Sequence, residues 1–275
     1  MMKIARLAAL EGVSVSRDAN NTLSLTCRRL RSAAAGVFND LMKLLGQSAF
    51  VTSIDLRNDY IGAEGAAALS QALLVNTSIT SVNIRDIGID AEETAALSQA
   101  LLTNTSITSV DVRNNGISAE GAAFLSQALL VNTSITSVDV VDNRIGAEGA
   151  ASLSQAFLTN TSITSCNISG NGIGAEGSAA LSQALLTNTS ITNISVINNG
   201  IGAEGAAALA RAIAANEACA LKTLSGVNLN TPELRAMLDI DDHYDDASVS
   251  WAGKSTGDVL GCLLEKRAVR PPLLK

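Results

Sequence analysis

Aromatic side chains make up only 3% of this 275-residue chain, which has one Trp, two Tyr and four Phe, together with three Pro and a single His. With 47% of its residues hydrophobic, the interior has to be assembled from Leu, Ile, Val and Ala packed closely in thin, regular layers. Long runs of Lys or Arg are missing too, and the net charge is −7 with a pI near 4.8. Nucleic-acid binding rests on clustered cations that neutralise phosphates, so no nucleic-acid partner is expected.

The four cysteines (Cys27, Cys166, Cys219, Cys262) lie far apart without a CxxC pair, which fits a reducing compartment better than a disulfide framework. No apolar run is long enough to span a bilayer. Met1–Glu11, interrupted by Arg6, makes a poor secretory leader. A cytoplasmic protein without membrane insertion is expected. Triplets such as Asn76-Thr77-Ser78 match a glycosylation acceptor but recur at every repeat junction, where they read as turn chemistry.

Signatures of catalysis are equally scarce. Gly-x-Ser-x-Gly and paired-His metal motifs are absent. His243 sits in an acidic stretch, Asp239 to Asp246, that lacks the central Gly and final Glu of a calcium loop. Gly253-Lys254-Ser255 ends like a phosphate-binding loop, but the opening glycine position is Ser248. No catalytic residue, metal or cofactor is expected.

What the chain has instead is a period. Cutting before Ser78, Ser106, Ser134, Ser162 and Ser190 leaves blocks of 28 residues without insertion, and six such blocks fill residues 50–217. Within a block, alternation at Val138 and Val140 predicts a short strand buried on one face. Ala150, Leu153, Ala156 and Phe157 then give the spacing of one helix face. Gly62, Asp90, Ser118, Gly146, Gly174 and Gly202 stand where N-caps are expected. A Glu follows two residues later in every block (Glu64, Glu92, Glu120, Glu148, Glu176, Glu204), at the positive end of the helix dipole. Asn76, Asn104, Asn132, Asn160, Asn188 and Asn216 close the helices, and Asn tolerates a left-handed C-terminal conformation.

The pattern LxxLxLxxNxL followed by a Gly-Ala-Glu-Gly-Ala helix resembles the ribonuclease-inhibitor-like class of leucine-rich repeats. The resemblance implies an α/β solenoid, a horseshoe arc with a parallel sheet on the concave face and helices on the convex face. It also implies an asparagine ladder through Asn115, Asn143, Asn171 and Asn199 that satisfies backbone groups in the turn. Asp59 and Ile87 depart from that column, and Ile87 cannot make its hydrogen bonds. One repeat cannot bury its own apolar face, so caps are needed at both ends. Residues 1–49 are expected to hold an N-terminal cap with a degenerate repeat (Leu23, Leu25, Cys27, then a helix through Val37, Leu41, Leu44 and Leu45). Residues 218–275 are expected to hold a decayed seventh repeat starting at Leu221, Leu224, Val227 and Leu229, with helices near 232–238 and 256–268 as a C-terminal cap.

Residues between the buried strand positions face outward. One column is Asp55, Asn83, Asp111, Asp139, Asn167, Ser195. Two residues on lies Arg57, Arg85, Arg113, Val141, Ser169, Ile197, and beside it Asn58, Asp86, Asn114, Asp142, Gly170, Asn198. The concave face is therefore polarised, with stacked arginines at one end and neutral or apolar residues at the other. Two readings stand side by side. Asp55, Asp111 and Asp86 could neutralise the arginines within the sheet, or the column could anchor an acidic protein partner. On the convex side, Leu74, Leu102, Leu130, Leu158 and Leu186 form an outward column. It is either tucked between helices or an apolar patch for self-association of an otherwise monomeric chain. The function these features imply is a non-enzymatic protein–protein interaction module that binds its partner on the concave face. The alternatives are a regulator of a small GTPase, because the repeats also resemble those of Ran GTPase-activating proteins, and a self-associating structural unit.

Overall fold

The computed structural model describes residues 13–17, 23–27, 35–225 and 227–228. Strand and helix alternate along the chain: β1 (Val13–Arg17), β2 (Leu23–Cys27), α1 (Ala35–Gly46), β3 (Val51–Asp55), α2 (Gly62–Val75), β4 (Ser81–Asn83), α3 (Ala91–Thr103), β5 (Ser109–Asp111) and α4 (Ser118–Val131). They continue as β6 (Ser137–Asp139), α5 (Gly146–Thr159), β7 (Ser165–Asn167), α6 (Gly174–Leu185), β8 (Asn193–Ser195), α7 (Gly202–Ala215), β9 (Thr223–Leu224) and β10 (Val227–Asn228).

The strands form one sheet in sequence order, β1 to β10. From β2 to β9 every pairing is parallel. The two edges are antiparallel: β1 on β2 and β10 on β9. Strands stack about 4.8 Å apart, whereas helices need 8–10 Å or so. A layer with equal numbers of each must therefore arc, with the sheet inside.

The core between the layers repeats column by column. Ile54, Val82, Val110, Val138, Cys166 and Ile194 stack from the strands, with Leu56, Ile84, Val112, Val140, Ile168 and Val196 beside them. The helices contribute Leu69, Leu97, Leu125, Leu153, Leu181 and Leu209. Burial holds the Cys166 thiol far above its ordinary range, so it packs as a small hydrophobe.

The helix ends differ from the sequence expectation. Among the helices of the six repeats only Asp90 is a side-chain N-cap: it accepts from Glu92 N, and the Glu93 side chain accepts from Asp90 N to complete a capping box. That exchange lowers the Asp90 carboxyl and raises Glu93. At Gly62, Gly146, Gly174 and Gly202 the reason for glycine is backbone conformation, with φ between 62° and 64°. Ser118 adopts the same φ of 62° and makes no capping bond.

The closing asparagines are not left-handed. Asn76, Asn104, Asn132 and Asn160 are extended, with φ between −79° and −70°. Their side chains are the reason for their presence. Each is buried and donates from Nδ2 to two carbonyls of the preceding repeat, as Asn132 does to Leu101 O (2.7 Å) and Asn104 O (2.9 Å). Its Oδ1 then accepts from the next two turn amides, Ser134 N and Ile135 N.

The second asparagine ladder is as expected. Asn143 Nδ2 donates to Val112 O, Val140 O and Val141 O, while its Oδ1 accepts from Asn115 N. Asn171 and Asn199 repeat the pattern. Asn115 Oδ1 accepts from Ile87 N, Gly88 N and Ile89 N, so the turn at Ile87 is closed from the following repeat. Its own side chain goes into the core. One repeat further back, Asp59 N donates to Leu56 O within its own turn.

The N-terminal expectation covers β2 and α1, where Leu23, Leu25, Leu41 and Leu45 are buried and Leu44 packs against the core. At the other end Leu221 and Leu224 are buried. The helices expected near 232–238 and 256–268, His243 and Gly253-Lys254-Ser255 lie outside the described residues.

Candidate functional surface of the sheet

The parallel register aligns the first outward column side by side: Asp55, Asn83, Asp111, Asp139, Asn167, Ser195. The arginine column follows directly after the strands. Its members do not behave alike. Arg57 pairs with Asp55 two residues earlier, Nη2 to Oδ2 at 2.9 Å. Arg113 is held harder, by Asp111 through Nη2–Oδ2 at 2.6 Å and Nε–Oδ1 at 2.8 Å, and by Asp139 of the next strand at 3.4 Å. These contacts raise its guanidinium further.

Arg85 has no carboxylate partner among the described residues. Its Nε and Nη2 both donate to the side-chain oxygen of Asn114 at 3.2 Å, and the amide nitrogen of Asn114 donates to Asp142 Oδ2 at 3.2 Å. The orientation of that amide is assigned from this network. Neutralisation within the sheet thus applies to two of the three arginines. Asp86, expected as a third partner, makes no ion pair with them; Asp139 takes that place. The cause is local. Asp55 and Asp111 sit two residues before Arg57 and Arg113, whereas Arg85 follows Asn83. An Asp-x-Arg triplet on a strand places both charges on one face, and Asn-x-Arg leaves the cation formally unpaired. That difference is legible in the sequence and distinguishes the three arginines.

The third column owes its composition to the backbone. Asn58, Asp86, Asn114, Asp142 and Asn198 have φ between 54° and 63°, and Gly170 has 71°. Asn, Asp and Gly are the residues that tolerate this left-handed region. Ligand contact is not needed to explain their recurrence.

Towards the C-terminal end the face becomes neutral. Val141 and Ile197 are half-buried, and the Ser169 and Ser195 hydroxyls lie 2.9 Å apart. Ser169 also donates to Asn167 Oδ1 at 2.7 Å. Asp139 stands where the charged half meets the neutral half. Burial raises its carboxyl above the ordinary value, opposed by the Val141 amide and Arg113.

On the opposite face, Leu74, Leu102, Leu130, Leu158 and Leu186 are 37–46% exposed. They are neither tucked away nor fully presented. Among the described residues no helix is long and apolar enough to cross a membrane.

A profile described as "Leucine Rich repeat" matches residues 103–126, 131–154, 159–182 and 187–210. No curated protein matches the chain by sequence. Solved structures similar to part of this chain include two. One is titled "Leiomodin-1 Actin-Binding Site 2 (ABS2)", with 22% identity, 47% of this chain and 77% of that one covered, and a TM-score of 0.45. The other is a tropomodulin C-terminal domain from Caenorhabditis elegans, with 20% identity, 54% and 90% covered, and a TM-score of 0.47.

Proposed function

The chain is built of tandem leucine-rich repeats, and from that premise we propose that it is a non-enzymatic protein-interaction module that holds its partner on the concave sheet face. The observation that carries this reading is the unequal state of the three arginines. Arg57 and Arg113 are neutralised within the sheet, while Arg85 between them meets only an amide oxygen.

A charge-assisted hydrogen bond to a carboxylate is roughly twice as strong as one to a neutral amide. Arg85 therefore gains when an acidic side chain displaces Asn114, and its neighbours gain nothing. Its backbone is tied to the preceding repeat, where Asn58 N donates to Arg85 O, so little backbone ordering is needed on binding. Val141 and Ile197 add apolar contact further along the same face. Nucleic acid is not the partner on this reading, because the chain has no long run of cations to neutralise phosphates. The chain works as a monomer in the cytoplasm on this reading.

The test is a pull-down from the source lysate with wild type, Arg85→Glu, and the pair Arg57→Glu/Arg113→Glu, each checked for fold by circular dichroism. Arg85→Glu alone should remove the specific partner. If every band survives in Arg85→Glu and in a further Ile197→Glu variant, the sheet face is not the binding surface.

A further inference from the structure

The column that holds Arg85 keeps the strand spacing beyond the strand ends. Asp86 N donates to Arg113 O, Asn114 N to Val141 O, Asp142 N to Ser169 O and Gly170 N to Ile197 O, each at 2.9–3.0 Å. Arg85, Arg113, Val141, Ser169 and Ile197 thus form one row across the sheet, about 4.8 Å apart. The groups offered to a partner are every second member of that row: the Arg85 guanidinium, then the half-buried Val141 and Ile197. They follow one another at roughly 10 Å, and the row from Arg85 to Ile197 spans about 19 Å. Between them, Arg113 is tied to Asp111 and Asp139, and the Ser169 hydroxyl is engaged by Ser195 and Asn167.

This spacing selects the backbone of the occupant. An extended chain crossing the strands advances about 3.3 Å per residue, so it covers one interval in roughly three residues. Three is an odd number, and the second side chain then points away from the sheet. An α-helix climbs about 5.4 Å per turn, close to one turn per strand. Its residues i, i+7 and i+14 share a face at intervals of about 10.5 Å. The helix overshoots the row by about 2 Å in all, a difference within the reach of the long Arg85 side chain.

Charge sets how many carboxylates that helix carries. Asp86 and Asp142, both exposed, stand beside Arg85. One strand further on, Asp111 and Asp139 outnumber Arg113. A second acidic residue one turn along meets that net negative pair, so the site takes one carboxylate and repels a generally acidic surface. Resting on the sheet-face reading, we propose that the partner lays an amphipathic α-helix across the strands, with a single carboxylate on Arg85 and apolar side chains seven and fourteen residues away on Val141 and Ile197.

The probe is a fluorescein-labelled 18-residue Ala/Gln-rich helix with one glutamate and with leucines seven and fourteen residues from it. It is made in both chain directions and titrated against the full chain by anisotropy. One direction should bind saturably. Moving both leucines by two residues, to the far side of the helix, or placing proline at its centre, should weaken binding at least tenfold. Glutamine for the probe's glutamate, or Arg85→Gln in the chain, should each weaken it several-fold, and the two together no further. A second glutamate one turn from the first should weaken it as well. Absence of binding in both directions, equal affinity for the shifted or the proline probe, or tighter binding with the second glutamate would each overturn the helix. The pull-down then separates the two failures. Loss of the specific partner in Arg85→Glu leaves the sheet face as the site of an occupant with another shape, whereas survival of every band in Arg85→Glu and in Ile197→Glu removes the site as well.

Discussion

Replacing Asn143 by Ala removes one rung of the turn ladder, and the consequences can be counted atom by atom. Asn143 Oδ1 is the acceptor for Asn115 N, a buried amide that then has no partner. Stranding a buried donor costs about 2 kcal/mol. The carbonyls fare better. Val112 O keeps the bond from Asn115 Nδ2, Val140 O keeps that from Asn171 Nδ2, and Val141 O keeps the Asn114 amide. Each loses only its second hydrogen bond, at roughly 0.5 kcal/mol apiece. The sum is about 3.5 kcal/mol, a large part of the 5–15 kcal/mol or so that holds a domain folded. With an m-value of about 3 kcal/mol/M in urea, the midpoint should fall by about 1 M. Urea titration followed by circular dichroism measures this directly. A fall below about 0.3 M would refute the reasoning, since it would mean that water replaces the side chain at no cost. A lowered slope would add that neighbouring repeats had uncoupled, as expected of a quasi-one-dimensional array.

Two further outcomes follow from the backbone and from charge. Ser118→Gly relieves a left-handed residue that makes no capping bond and should stabilise the chain by about 1 kcal/mol, read as a raised melting temperature. The Asp139 carboxyl is raised above its ordinary value of 3.8, chiefly by burial. The folded state therefore binds this proton more tightly than the unfolded chain does. The Asp139 contribution to stability should grow as pH falls through the folded value towards 3.8, and be lost as pH rises. Asp139→Asn should stabilise at neutral pH and flatten the dependence of the melting temperature on pH over that window.

The period, the alternation of strand and helix, and the buried columns can all be read from the sequence, because every repeat answers the same packing constraint. Val138, Val140, Leu153 and Phe157 are buried as their spacing predicts. What escapes a sequence reading depends on neighbours that no single repeat contains. The edge strand β1 is five residues, Val-Ser-Val-Ser-Arg, that lie before the repeats, and its antiparallel pairing with β2 comes from the fold. The closing asparagines look like end caps by type, yet their work is done on carbonyls of the repeat before. The Asn/Asp/Gly column after the arginines mimics an outward-facing binding column, and only the φ angles reveal its backbone origin. On the sheet face the signal was present at a finer scale: one exchange, Asn83 for Asp, separates Arg85 from its paired neighbours.

The two asparagine spines have the same reach. Nδ2 of Asn132 and of Asn143 each bridges to a carbonyl 31 residues back, and the partners recur 28 residues apart. A chain stitched this way cannot change length by one residue within a repeat without shifting donors from acceptors on both spines at once. Loss or gain of a whole repeat restores every stitch. The length of the molecule is thus a quantised variable. Each added unit lengthens the sheet face by one strand, and the side chains that confer chemistry on that strand can vary while the stitching stays the same.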